Sequence, residues 1–113
     1  MRVKVYWKPT CQTCRRVAER LRKQGVEMEL VNMFQEPPDR KTLESLARRY
    51  GARNILRRRS RHYRAERFDQ LSDEEILDRV SKNTDLLRRP VIVLGGRAIL
   101  GDREEELRGA GLV

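Results

Sequence analysis

Cys11 and Cys14 are the only cysteines in the chain, and their three-residue spacing makes them the pair best suited to chemistry. Two thiols at i and i+3 on the first turn of a helix share a face, and a disulfide can join them with little backbone movement. Such a pair reads as a redox switch. A thiol at a helix N-terminus also faces unsatisfied N–H groups and the positive end of the helix dipole, while Lys8, Arg15 and Arg16 add cationic charge nearby. A free cysteine of pKa about 8.5 is only about 3% ionised at pH 7; lowering that value to about 6.5 makes it about three-quarters ionised. Cys11, the outer thiol, is therefore expected to be the nucleophile, and Cys14 the thiol that resolves its adducts. A purely structural bridge over so short a loop would stabilise little. A closed zinc site needs four ligands, and the chain offers only these cysteines and His62, so no metal is expected without a second subunit.

The elements that must hold this pair can be read outward from it. Val3, Val5 and Trp7 alternate with Lys4 and Tyr6, which predicts a strand, and Pro9-Thr10 breaks it. A helix is expected over residues 13–24, with Val17, Ala18 and Leu21 inward and Gly25 as its left-handed stop. Val26, Met28 and Leu30 alternate with glutamates in a second strand, and the helical crossover makes the two strands parallel. Pro37-Pro38-Asp39 opens a helix with Leu43, Leu46, Ala47 and Tyr50 on one face, ended by Gly51. Residues 53–69 are less periodic, with Ile55 and Leu56 as anchors for a short helical turn. Ser72 and Glu75 form a capping box, with Leu71 and Ile76 as its hydrophobic staple, for a helix ending near Ser81. Val91-Ile92-Val93-Leu94, a Gly95-Gly96 turn and residues 97–100 predict a hairpin, and residues 103–108 a short charged helix. The order is βαβ, two or three helices, then ββα, in one domain spanning residues 1–113.

Charge is the second fact. The chain has 26 Lys+Arg against 17 Asp+Glu, a net +9, which predicts attraction to something anionic: a small oxyanion, a carboxylate-bearing thiol, an acidic protein surface or nucleic acid. The run Arg57-Arg58-Arg59-Ser60-Arg61-His62-Tyr63-Arg64 combines cations with one aromatic, but no nucleic-acid-binding motif surrounds it. A solvated basic face or a dock for an acidic protein is the better reading, and direct nucleic-acid binding is disfavoured. No apolar run resembles a signal peptide or a membrane span, so a cytoplasmic protein with thiols kept reduced between turnovers is expected.

The βαβ–α–ββα order with Cys-x-x-Cys at the first strand–helix junction resembles the glutaredoxin/thioredoxin architecture, an α/β fold with a four-stranded mixed sheet, here with inserted helices. In that fold the proline before the third strand is cis and packs beside the reactive thiol, the position Pro90 occupies. Four segments carry a finer resemblance to the glutaredoxin-type arsenate reductase (ArsC) and Spx-like family: Tyr6-Trp-Lys-Pro-Thr-Cys11-Gln-Thr-Cys14-Arg15, Glu36-Pro37-Pro38, Arg53-Asn-Ile-Leu-Arg57, and Leu86-Leu-Arg-Arg89-Pro90-Val-Ile-Val. The resemblance implies that Cys11 is the nucleophile, Arg15 its neighbouring arginine, and Arg57 and Arg89 arginines that hold an oxyanion. Arginine's planar, permanently charged fork suits that task better than lysine.

Three departures from the arsenate reductases stand out. Trp7 and Lys8 replace their usual histidine and asparagine. Gly101-Asp102-Arg103 stands where a further arginine is usual, so Asp102 is expected to repel an anion unless Arg103 reaches over it. Cys14 occupies a position that is usually not cysteine in those enzymes but is in Spx-type regulators and dithiol oxidoreductases. Two functions follow from the resemblance. One is a thiol–disulfide oxidoreductase, arsenate reductase-like, with no bound cofactor and with thioredoxin, glutaredoxin or a small thiol as external reductant. The other is a redox-sensing transcriptional regulator that docks on RNA polymerase.

Overall fold

The alternation at the N-terminus builds β1 (Arg2–Trp7), in a computed structural model that describes residues 1–113. β1 sends Val3, Val5 and Trp7 to one face and buries Tyr6 on the other. It is followed by α1 (Gln12–Lys23), β2 (Glu27–Asn32), α2 (Arg40–Tyr50), α3 (Arg61–Ala65), α4 (Asp73–Lys82), β3 (Val91–Leu94), β4 (Arg97–Leu100) and α5 (Glu104–Gly109). Short 3-10 turns at Ala52–Ile55, Phe68–Gln70 and Thr84–Leu86 fill the connection between α2 and β3.

The four strands form one mixed sheet in the order β2-β1-β3-β4. β1 runs parallel to β2, with Val3 opposite Met28, and antiparallel to β3, with Val5 opposite Ile92. β3 and β4 close the hairpin, with Ile92 opposite Ile99. This is the thioredoxin-like four-stranded arrangement, with helices inserted ahead of the final hairpin.

A cluster on one face of the sheet gathers Val3, Val5, Val17, Leu21, Val26, Ile92, Ile99, Leu107 and Leu112, so α1 and α5 cover that side. The larger cluster on the other face joins Tyr6, Val31 and Val91 to Leu43 and Leu46 of α2 and Ile76, Leu77 and Val80 of α4. Tyr50 ties α2 to the sheet, its hydroxyl accepting the Leu100 N–H at 3.0 Å. Leu30, expected inward, is 44% exposed. It lies on β2, an edge strand of the sheet, while Val31 is buried on the opposite face.

Helix ends follow local chemistry. Asp39 caps α2 by accepting the Thr42 N–H at 2.8 Å. Ser72 and Glu75 form the reciprocal capping box at the start of α4. Gly25 and Gly51 sit at φ +78° and +89°, left-handed conformations that only glycine enters without a steric penalty. In the weakly periodic stretch, Ser60 caps α3 and Tyr63 stacks on the buried Phe68 with ring centroids 5.4 Å apart. No helix is long and apolar enough to cross a membrane.

Candidate functional site

β1 ends at Trp7, and the turn Lys8-Pro9-Thr10 delivers Cys11 to the start of α1, its N–H donating to the Lys8 carbonyl at 2.9 Å. Cys11 is the N-cap itself, extended at φ −83° and ψ 119°, and its Sγ accepts the backbone N–H of Cys14 at 3.3 Å. A sulfur therefore stands where Ser, Thr, Asp or Asn usually caps a helix. The expected helix start at Thr13 thus moves one residue earlier, because the cysteine supplies the cap. Both thiols are free; Cys11 is half-buried and Cys14 fully buried on the inner face of the first turn.

Burial alone would raise the Cys11 pKa. It is outweighed by hydrogen bonds from the Cys14 thiol and N–H groups at the helix start, and by the Arg89 guanidinium, so the net effect is a lowered value. Burial pushes Cys14 up to about 12, and the neighbouring Cys11 contributes to that rise. The two thiols are thus separated into one that ionises readily and one that holds its proton. Arg89, distant in sequence, is the side chain whose positive charge acts on Cys11.

Cys11 opens onto a cleft of about 780 Å³. Arg57 and Arg89 line it, as do Lys8, Arg58, Arg59, Arg88 and Arg103. Arg57 arrives through an isolated antiparallel bridge between Leu56 and Leu87, which joins the end of the first 3-10 turn to the segment before β3. Arg89 follows two residues later, only 8% exposed, with the Phe34 ring 5.5 Å from its guanidinium carbon. The Arg89–Pro90 bond is cis, and Pro90 is buried and outside the cleft lining. Arg15 lies exposed on α1 and outside the lining. The cleft therefore brings together Cys11, Arg57 and Arg89, with Cys14 below them, and leaves Arg15 apart.

Asp85 is the residue that sequence reasoning passed over. Its Oδ1 lies 3.4 Å from Arg57 Nη1 and 3.5 Å from Arg89 Nη2, and its Oδ2 accepts from the buried Ser60 hydroxyl at 2.6 Å. Burial disfavours its charge, but Ser60 and the two arginines outweigh burial and hold the carboxyl below its usual range. The only available signal was its place four residues before Arg89, which is ordinary for an exposed turn. Asp102 does not stand as a free repulsive charge. Arg88 Nη2 engages both its oxygens, at 2.9 and 2.8 Å, so Arg88 performs the neutralisation expected of Arg103. No group of three or more His, Cys, Asp or Glu side chains is placed to hold a metal ion.

Residues 6–110 match the profile of the ArsC family. The chain belongs to the ArsC family. Among its ArsC-family relatives, Uncharacterized protein YfgD of Escherichia coli (strain K12) is 31% identical over 110 residues, covering 93% of this chain and 92% of YfgD. Global transcriptional regulator Spx of Streptococcus pyogenes serotype M1 is also 31% identical over 110 residues, covering 94% of this chain and 82% of Spx. The solved structure of arsenate reductase from Vibrio cholerae superposes with a TM-score of 0.82 at 24% identity, covering 97% of this chain and 98% of the other. At that identity the match establishes the shared ArsC fold.

Proposed function

We propose that this ArsC-family chain is a thiol–disulfide oxidoreductase. The observation that carries the reading is the split between the two thiols: Cys11 lowered and open to a cationic cleft, Cys14 buried beneath it and held protonated. Cys11 thiolate attacks one sulfur of a substrate disulfide, forming a mixed disulfide and releasing the other sulfur as a thiolate that takes a proton from solvent. Cys14 then attacks Cys11 Sγ, loses its proton and releases the second substrate thiol. The result is a Cys11–Cys14 disulfide and two substrate thiols, so two electrons have passed from protein to substrate.

The coupling of the two cysteines supports this order. Part of the rise in Cys14 comes from Cys11. Once Cys11 is tied into a mixed disulfide it bears no negative charge, and that part of the rise disappears when Cys14 must ionise. The cationic wall stabilises departing thiolates and anionic substrates. An external dithiol protein or small thiol restores the reduced pair. The test is disulfide reduction coupled to NADPH oxidation through thioredoxin or glutathione. Activity lost in Cys11→Ser, with a trapped mixed disulfide in Cys14→Ser, is expected; wild-type activity no higher than Cys11→Ser rules the reading out.

The 31% identity to Spx favours a second reading, a redox-sensing regulator that docks on RNA polymerase. The exposed arginines 58, 59, 61 and 64 beside the cleft are the surface it would use. Capture of polymerase subunits that depends on the redox state of Cys11 and Cys14 is its test, and no capture in either state removes it.

A further inference from the structure

We propose that Asp85 sets the charge class of ligand this cleft accepts, by partly neutralising Arg57 and Arg89 with the chain's own carboxylate. The inference rests on the oxidoreductase reading and narrows its substrate to neutral or singly charged groups, excluding doubly charged tetrahedral oxyanions such as arsenate at neutral pH.

The geometry supports this at three points. Oδ1 of Asp85 faces one nitrogen of each guanidinium, so those two donors are directed at the chain's own carboxylate. The Arg89 fork is already engaged: Nη1 donates to the Leu87 carbonyl at 3.2 Å and reaches the Thr84 carbonyl at 3.5 Å, while Nη2 faces Asp85. Arg89 thus acts on the cleft as a charge and offers little of the two-pronged recognition an oxyanion needs. The Ser60 hydroxyl, itself buried, fixes the other oxygen of Asp85 at 2.6 Å, so the carboxylate cannot readily swing aside.

Two cations and one anion leave the inner cluster with a single net positive charge. That suffices for a thiolate or a monoanion. Asp85 itself is outside the cleft lining and acts through the two arginines: a second negative charge on the ligand finds a guanidinium pair already half neutralised and is repelled across it, an effective way to reject a competing ligand.

Sulfate and methanesulfonate are suitable probes, since they present similar tetrahedral oxygens with two charges and one. Binding is followed by NMR titration of the Cys11, Arg57 and Arg89 amides at constant ionic strength. Wild type is expected to bind methanesulfonate more tightly than sulfate. In Asp85→Asn, which keeps an acceptor for Ser60, the preference should shift toward sulfate by about tenfold, the size expected for removing one nearby charge in a half-exposed site. Asp85→Glu should restore the wild-type ratio, an outcome that loss of structure alone would not produce. If Asp85→Asn does not fold, Asp85→Ser carries the same expectation. A ratio unchanged in the neutral variants, sulfate bound by wild type as tightly as methanesulfonate or more tightly, or binding of neither anion to any variant overturns the proposal. The readout needs no turnover, so absence of disulfide reduction with Asp85-dependent selectivity intact refutes the oxidoreductase reading alone.

Discussion

Leu56 and Leu87 pair backbone to backbone in an antiparallel bridge outside the sheet, flanked by N–H donation from Arg57 to Leu86 at 2.7 Å and from Arg88 to Ile55 at 2.9 Å. This pairing carries Arg57 to Asp85, 28 positions away in the chain. Both leucines are buried in the larger cluster, so the packing that stabilises this face also assembles the cationic wall.

Leu87→Ala should therefore do two things at once. Loss of a fully buried leucine is expected to cost about 2–5 kcal/mol, read by chemical denaturation. The Arg89 segment should also loosen, so the pH midpoint for Cys11 alkylation rises. A stability loss with that midpoint unmoved would show that the bridge is not what positions Arg89.

The alkylation profile of the wild type tests the electrostatics directly. Iodoacetamide should modify Cys11 with a midpoint below the ordinary thiol value, while Cys14 stays protected until the pH approaches about 12. Cys14→Ala removes a thiol donor and should raise the Cys11 midpoint; Cys14→Ser, which keeps a hydroxyl donor, should raise it less. Arg89→Gln should raise it as well. Equal midpoints in all four proteins would contradict the causes assigned here.

Much of this could be read from residue patterns, and the failures share one cause. Strands, the capping box at Ser72, the hairpin and the two cysteines depend on short-range periodicity or on turn chemistry, so neighbouring residues announce them. Arg57 and Arg89 were reached through family resemblance. Asp85 was missed because its role depends on Ser60 and Arg57, which only the Leu56–Leu87 bridge brings near. Arg15 is adjacent to the motif in sequence, yet its position on α1 directs it outward from the cleft. Adjacency pointed to Lys8, which lines the cleft, and to Arg15, which does not, while a charge that lowers the Cys11 pKa comes from Arg89, far away in the chain.

Cys14 should leave a signature in stability at alkaline pH. Its thiol is pushed up to about 12, chiefly by burial. In the unfolded chain it ionises first, near the ordinary thiol value, so its contribution is fully present below that value and is lost as the pH climbs toward 12. Between about pH 8 and 11 the stability of wild type should fall more steeply than that of Cys14→Ala. Parallel curves in urea titrations across that window would exclude the linkage.

Gly101 follows β4 and packs against Pro90 and Ile92, just before and within β3. A Cβ there would lie 2.7 Å from Ile92 Cδ1 and 3.1 Å from Pro90 Cγ. Ile92 is fully buried in the α1-side cluster and has little room to move. Gly101→Ala should cost about 1–3 kcal/mol through overpacking and, by displacing Pro90 next to Arg89, should change the rate of Cys11 alkylation at fixed pH. Unchanged stability and an unchanged rate would show that Ile92 and Pro90 yield freely.

The Arg88–Asp102 pair makes the cleft rim less positive than its arginine count suggests. Arg88 donates to both Asp102 oxygens and to the Asn54 carbonyl at 2.9 Å, so the pair braces the rim between the first 3-10 turn and the loop after β4. Both side chains remain partly exposed, at 19% and 24%, which limits what their pairing contributes to stability. Asp102→Asn should therefore change stability by no more than about 1 kcal/mol. It should also release Arg88 as an uncompensated cation in the lining and strengthen binding of sulfate and methanesulfonate alike. That common increase separates the rim from Asp85, whose neutralisation is expected to favour the doubly charged anion selectively. NMR titration of Asp102→Asn with both anions makes the comparison: a gain confined to sulfate would place the charge filter at the rim instead of at Asp85.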